Sequence, residues 1–257
     1  MSFHWILQDN LYDEEGYLEV INTLNRFNLS YEVVHIAYDK TYPDINPTGP
    51  VMAYGSYSLA RIAKINNWKP GVFLNDNFTV AKWITHYKDN MLNHDANILR
   101  LKDVVNYIQK PFFLRPLEDS KAFSGITFSD MADFLDWKDY KVRTNRILTE
   151  DTFVVMSSLK KIYKETRLFI VKDQVISGSV YKQAGIMMQS PVSDTDALDF
   201  AQSMIKIWTP SEAFVLDVAL TDEGYKIVEI NCINCSGLYA SDIQKSIMTL
   251  DETNCTF

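Results

Sequence analysis

The sequence predicts an α/β domain built on a parallel sheet, followed by an α+β domain built on antiparallel sheets. Two observations carry this. Short β-branched runs alternate with helical periodicity over residues 1–77, the pattern of a doubly wound sheet. From residue 110 onward, short apolar runs separated by turn residues dominate, and such runs pair as hairpins.

The elements follow in order. Residues 3–7 read as a strand, and 13–28 as a helix with Leu18, Ile21, Leu24 and Phe27 on its apolar face. Residues 31–37 form a second strand, and 42–50, with three prolines and a glycine, a loop. A strand at 51–54 leads through Gly55 and Ser56 into a helix at 57–67, with Ser56 as N-cap. Another short strand is expected at 72–74. Val80, Trp83, Ile84, Tyr87 and Met91 follow helical spacing over 78–92, and the domain boundary is placed just before them, near Asn77.

In the second domain, strands are expected at 112–115, 126–128, 153–156, 166–171, 174–181, 213–220 and 225–231. A helix capped by Ser129 or Asp130 is expected near 129–137. The clearest helix spans 194–208, where Ala197, Ala201, Met204, Ile205 and Trp208 share a face and Ser193 with Asp196 suggests a capping box.

Composition narrows the function classes. A length of 257 residues, 47% of them hydrophobic, suffices for two modest domains with real cores. A net charge of −8 argues against nucleic acid or an anionic membrane as the default partner. No apolar run approaches ~18 residues, so no membrane span is expected. Three cysteines are too few and too clustered for a disulfide framework, which fits a reducing cytoplasm.

The hairpin at 213–231 carries the chemistry. Asp222, Glu223 and Gly224 suit a three-residue loop with Gly224 in the left-handed position. That register sets Thr221 opposite Tyr225 and Asp217 opposite Glu229, and period two adds Asn231 to the same face. The other face, with Phe214, Leu216, Val218, Leu220, Val228 and Ile230, reads as core. Opposed carboxylates repel unless a cation lies between them, and an oxygen set of this kind suits magnesium bridging to substrate phosphates. Asp217, Glu229 and Asn231 are therefore the candidate metal ligands.

Arg115, Lys121, Glu165, Arg167 and Lys182 supply complementary groups. Glu165 and Arg167 share a strand face; Lys182 joins them if the turn at Lys172 and Asp173 has two residues, and does not if it has three. Together these cations could clamp a triphosphate.

At this point the sequence resembles the ATP-grasp superfamily, most clearly over residues 112–239. The Asp of 214–220 followed by Glu229-Ile230-Asn231 is similar to its metal-binding strands, and Glu165-Thr166-Arg167 to its Glu-x-Arg strand. Residues 113–116 through Gly125 look like its Lys-Pro strand and phosphate loop, with Arg115 in the place of the lysine. That departure points to a divergent clade.

The resemblance implies an N-terminal domain of the type that precedes the grasp fold at 1–77. It implies an ATP-grasp domain at 78–257, with subdomains at about 78–156 and 157–257. It implies ATP and Mg2+ as cofactors, and an ADP-forming carbon–nitrogen ligase that joins a small-molecule or peptide carboxylate to an amine through an acyl phosphate. Arg167 and Lys182 are then the expected catalytic cations. Arg115, Lys121, Glu165 and Arg167 would lie at the phosphates, Ser157, Ser158 and Leu159 at the adenine, and Ser236, Gly237 and Tyr239 at the acyl substrate. A grasp-fold small-molecule kinase and a non-catalytic ATP-binding module stay open as alternatives.

Other signals carry less. Cys232 and Cys235 form a single CxxC that cannot make a four-thiolate zinc site with the distant Cys255. The four histidines show no hydrolase or metalloprotease spacing. Gly55 and Ser56 lack the context of a phosphate loop.

Overall fold

The computed structural model describes residues 2–11, 16–37, 41–107, 111–117 and 122–253. It begins with four parallel strands in the order β2-β1-β3-β4: β1 (His4–Gln8), β2 (Tyr31–Val34), β3 (Val51–Tyr54) and β4 (Pro70–Gly71). Both faces are covered, as a parallel sheet requires. Ile6, Val51 and Ala53 pack with Leu59, Ile62 and Ala63 of α2 (Tyr57–Ile65). Trp5, Leu7 and Met52 pack with Val20 and Leu24 of α1 (Tyr17–Arg26). Ser56 caps α2 as expected, accepting from the Ser58 amide at 3.2 Å.

Two expectations need correction here. The buried face of α1 is Val20, Thr23 and Leu24, while Leu18 is 71% exposed and Phe27 38% exposed; the helix packs on the sheet through a stripe rotated from the one assumed. The fourth strand is Pro70–Gly71 rather than 72–74, because Val51 and Met52 pair with those two residues.

Helix α3 (Val80–Tyr87) follows, then β5 (Asn97–Arg100), β6 (Phe112–Pro116), β7 (Ile126–Phe128), α4 (Met131–Thr144) and β8 (Phe153–Ser158). The strands form an antiparallel sheet in the order β5-β8-β6-β7. Asp130 rather than Ser129 caps α4, accepting from the amides of Ala132 and Asp133. Phe112 and Leu114 bury against Phe134 of α4, and strand alternation turns Phe113 and Arg115 the other way.

The largest sheet is antiparallel in the order β11-β10-β9-β12-β13. Its strands are β9 (Ile162–Val171), β10 (Gln174–Gln183), β11 (Ile186–Pro191), β12 (Ala213–Thr221) and β13 (Gly224–Asn231). One face, with Leu168, Ile170, Phe214, Leu216 and Val218, packs on α3 and on α5 (Thr195–Ile207). On the opposite face, Phe169, Val171, Ala213 and Val215 meet the parallel sheet and α6 (Ile243–Thr253). The rest of that face carries the polar residues of the site. Asp194, not a Ser193–Asp196 box, caps α5 by accepting from the amides of Asp196 and Ala197.

Candidate active site

A cavity of about 500 Å³ opens between the two antiparallel sheets. It is lined from one side by Phe113, Arg115 and Pro116, with Phe123, Ser124 and Gly125 of the following loop. From the other side come Glu165, Arg167, Tyr181, Val228, Glu229 and Asn231, and the loop after β13 adds Cys235, Ser236 and Gly237. A Cβ on Gly125 would lie 2.5 Å from the Phe113 ring, so only glycine fits that close approach.

The register of β12 and β13 pairs Asp217 with Glu229 and Val215 with Asn231, as expected, but by another route. Thr221 pairs with Gly224, which leaves only Asp222 and Glu223 in the turn, and a bulge at Val228 restores the pairing beyond it. The bulge also corrects the core assignment. Ile227 is fully buried beside Val218, whereas Val228 lines the cavity. The turn at Lys172 and Asp173 has two residues, and bulges at Ile176 and Tyr181 bring Lys182 opposite Glu165.

Arg167 and Asp217 face each other on neighbouring strands and form a bidentate pair, Nε to Oδ1 at 2.9 Å and Nη2 to Oδ2 at 2.7 Å. Arg167 Nη1 also donates to the Gly237 carbonyl at 3.2 Å. Asp217 is fully buried and lies behind the residues that line the cavity. Burial raises its carboxyl to about 6 against the pull of Arg167, and Glu229 adds to the rise. Burial opposes the charge on Arg167 as well, but Asp217 outweighs it and holds the guanidinium above its ordinary value. At neutral pH both partners are charged.

Glu229 retains 30% side-chain exposure and pairs with Arg115 Nη2 at 3.2 Å across the two sheets. Burial would raise its carboxyl, but Arg115, Asn231 and Arg167 hold it below the usual carboxylate range. The Arg115 guanidinium also sits 5.8 Å from the Trp83 ring, a cation–π placement. Lys182 Nζ lies 3.1 Å from Glu165 Oε1, and the Tyr181 hydroxyl donates to Glu165 Oε2 at 2.9 Å.

The residues suit magnesium of the phosphate-bridging kind, which needs one or two carboxylates and takes its other ligands from water and phosphate. Glu229 lines the cavity beside Asn231, whose Nδ2 donates to Glu229 Oε1 at 3.0 Å and Asp217 Oδ2 at 3.3 Å. The amide oxygen of Asn231 takes no part in those bonds. Among the described residues, no three His, Cys, Asp or Glu side chains converge as a metal cage. Asp217, expected to present open oxygens, instead gives both to Arg167.

Other expected residues divide. Arg115, Glu165, Arg167, Ser236 and Gly237 line the cavity; Lys182 borders it through Glu165, and Tyr239 through a ring stack on Tyr181. Ser157, Ser158 and Leu159 lie at the end of β8, outside its lining. Ser157 is buried and donates to Asn93, and Ser158 donates to Asp95. Lys121 lies outside the described residues. Tyr181, Cys235, Phe113, Phe123 and Val228 were not among the expected residues. Phe113 was legible as the i−2 neighbour of Arg115, while Tyr181 and Val228 depend on bulges without a sequence signature.

A family model for an ATP-grasp domain, the third family of its clade, matches residues 48–250. The chain belongs to the ATP-grasp family. No functionally curated protein matches it in sequence. Among solved structures, an ATP-grasp RimK domain protein from Sphaerobacter thermophilus DSM 20745 superposes with a TM-score of 0.64 at 12% identity, covering 96% of this chain and 98% of that one. D-alanine–D-alanine ligase from Bacillus anthracis, complexed with ATP, gives 0.61 at 12% identity, with 98% and 97% covered. The ATP-grasp ligase PsnB, complexed with a minimal precursor, gives 0.59 at 12% identity over both full lengths. At these identities the likeness establishes the ATP-grasp fold. Among the described residues, no helix is long and apolar enough to cross a membrane.

Proposed function

We propose that this ATP-grasp protein is an ADP-forming carboxylate–amine ligase that works through an acyl phosphate. The observation that carries the reading is the matching of each cation at the cavity to a carboxylate: Arg115 to Glu229, Arg167 to Asp217, and Lys182 to Glu165. Such pairs hold cations in place in a partly desolvated site without a bound anion, and phosphoryl transfer demands little beyond positioning and charge stabilisation.

In this reading Arg115 and Arg167 receive phosphate oxygens, together with Lys121. Glu229 and Asn231 would hold magnesium, with Asp217 behind them orienting both Asn231 and Arg167. The ion would supply charge neutralisation at the transferring phosphoryl group. Ser157, Ser158 and Leu159 would border the adenine, and Ser236, Gly237 and Tyr239 the acyl group. A substrate carboxylate oxygen attacks the γ-phosphorus as the bond to ADP breaks. The amine then attacks the acyl carbon, loses a proton, and phosphate departs. Arg167 and Lys182 stabilise the negative charge that develops in each step. Solved neighbours named as ligases, one complexed with ATP and one with a precursor, support this class of reaction. A cytoplasmic setting and small-molecule or peptide substrates belong to the same proposal.

MgATP with pooled amino acids or short peptides should release ADP, and hydroxylamine should trap a hydroxamate. Glu229→Ala should reduce this release roughly 100-fold or more. AMP and pyrophosphate as products would overturn the mechanism. ADP release without hydroxamate would instead indicate transfer to a hydroxyl, and no turnover with any probe a binding module.

A further inference from the structure

Tyr181 sits at the centre of the polar face, and the ligase reading leaves it without a task. It is the extra residue of a β-bulge: Val180 pairs with Thr166 and Lys182 with Glu165, so Tyr181 has no partner of its own on β9. A bulge sets two consecutive residues against one and re-aims their side chains, whereas strict alternation would send Tyr181 and Lys182 to opposite faces. Here both reach the same carboxylate, the Tyr181 hydroxyl at Glu165 Oε2 and Lys182 Nζ at Oε1. Burial pushes the Tyr181 phenol well above its ordinary range, reinforced by Asp217 and Glu165, so it stays a neutral donor.

The ring has a second role in the geometry. It stacks on Tyr239 with centroids 5.2 Å apart and planes inclined by 14°. The Arg167 guanidinium carbon lies 4.9 Å from the Tyr239 ring and 5.7 Å from the Tyr181 ring. Tyr239 holds φ at +50°, a left-handed conformation that bulky residues rarely adopt, and the stack compensates for it. Arg167 uses Nε and Nη2 on Asp217 and Nη1 on Gly237. A guanidinium has five N–H groups, so these three bonds leave two for a ligand in the cavity.

We propose that Tyr181 is a positioning residue. Through Tyr239, its ring fixes the loop at 236–239 against Arg167, so that the remaining guanidinium donors stay aimed at the acyl group during transfer. The catalytic part of this proposal rests on the ligase reading; the fixing of Arg167 does not.

Two measurements on the full chain separate these. The first is labelling of Arg167 by phenylglyoxal, read by peptide mass spectrometry without substrate. Tyr181→Leu should accelerate it roughly tenfold by freeing the guanidinium, Tyr181→Phe should leave it near the wild-type rate, and Tyr239→Leu should reproduce the acceleration from the other side of the stack. Thermal unfolding identifies any variant that fails to fold, and the Tyr239 variant then carries the comparison. Unchanged labelling in the folded leucine variants overturns the proposal. The second measurement is MgATP-dependent ADP release with hydroxylamine and the amino-acid or peptide pool. Tyr181→Leu should lower kcat roughly 10- to 100-fold with the KM for ATP little changed, and Tyr181→Phe should restore most of the rate. Faster labelling with unaltered kcat overturns the positioning role in transfer. If the wild-type protein releases no ADP with any probe, the ligase reading fails and the labelling result alone decides whether Tyr181 fixes Arg167.

Discussion

Arg167 and Asp217 show how a single buried pair can serve both the fold and the site. Both side chains are almost entirely out of solvent, and the bidentate geometry satisfies each charge with the other. Removing one partner of such a pair leaves an uncompensated buried charge, at a cost of about 3–5 kcal/mol. Arg167→Ala should therefore lower the urea unfolding midpoint markedly, whereas Arg167→Ala combined with Asp217→Ala should recover part of the loss. Additive losses in the double variant would show that the pair is not coupled. Arg115 is different in kind: its partner Glu229 is partly open to the cavity, so Arg115→Ala should weaken nucleotide binding in calorimetry more than it lowers stability.

At the scale of elements, bulges decide which side chains the largest sheet presents. One at Val228 directs a valine into the cavity and keeps Glu229 opposite Asp217, and one at Tyr181 gathers two side chains on Glu165. Helix α5 gives a separate test through its cap. Asp194 accepts from the amides of Asp196 and Ala197, from Lys164 and from the Tyr225 hydroxyl. Burial would raise its carboxyl, but these bonds prevail and hold it at about 2 against an ordinary 3.8. A depressed folded value means the stabilisation is complete above about pH 4 and disappears as the pH falls through about 2. Asp194→Ala should cost about 1–2 kcal/mol at neutral pH through the lost cap, and its deficit in chemical denaturation should shrink on acidification across that window. A deficit that does not change between pH 6 and pH 2 would contradict the ionised cap.

At the scale of the molecule, Asn234 joins the parallel sheet to the site. Its side chain accepts from the Phe73 amide at 2.9 Å and donates to the Ala53 carbonyl at 2.7 Å, while its own carbonyl accepts from Gly55. It follows Asn231 by three residues and precedes the loop of Ser236 and Gly237, so the first domain is tied directly to the strand that carries Glu229. Asn234→Ala would leave a buried amide and a buried carbonyl unpaired, at about 1–3 kcal/mol each. A lower unfolding midpoint is expected, and an unchanged one would remove Asn234 from this role.

The sequence by itself determined the two-domain class, most element positions, and the pairing of Asp217 with Glu229, because alternation and turn residues act over short chain distances. It also marked Arg115, Glu165, Arg167, Glu229 and Asn231 by type and spacing. It did not reveal β5, β11 or α6, whose apolar patterns are short or interrupted, nor the burial of Asp217. Register in β10 and β13 was beyond it, since a bulge adds one residue without changing composition and reverses the facing of all that follows. Only the tertiary structure decided that Asp217 faces Arg167, that Arg115 spans to Glu229, and that Tyr181 stacks on Tyr239. Those contacts join strands distant in sequence, and their geometry is set by how the sheets pack.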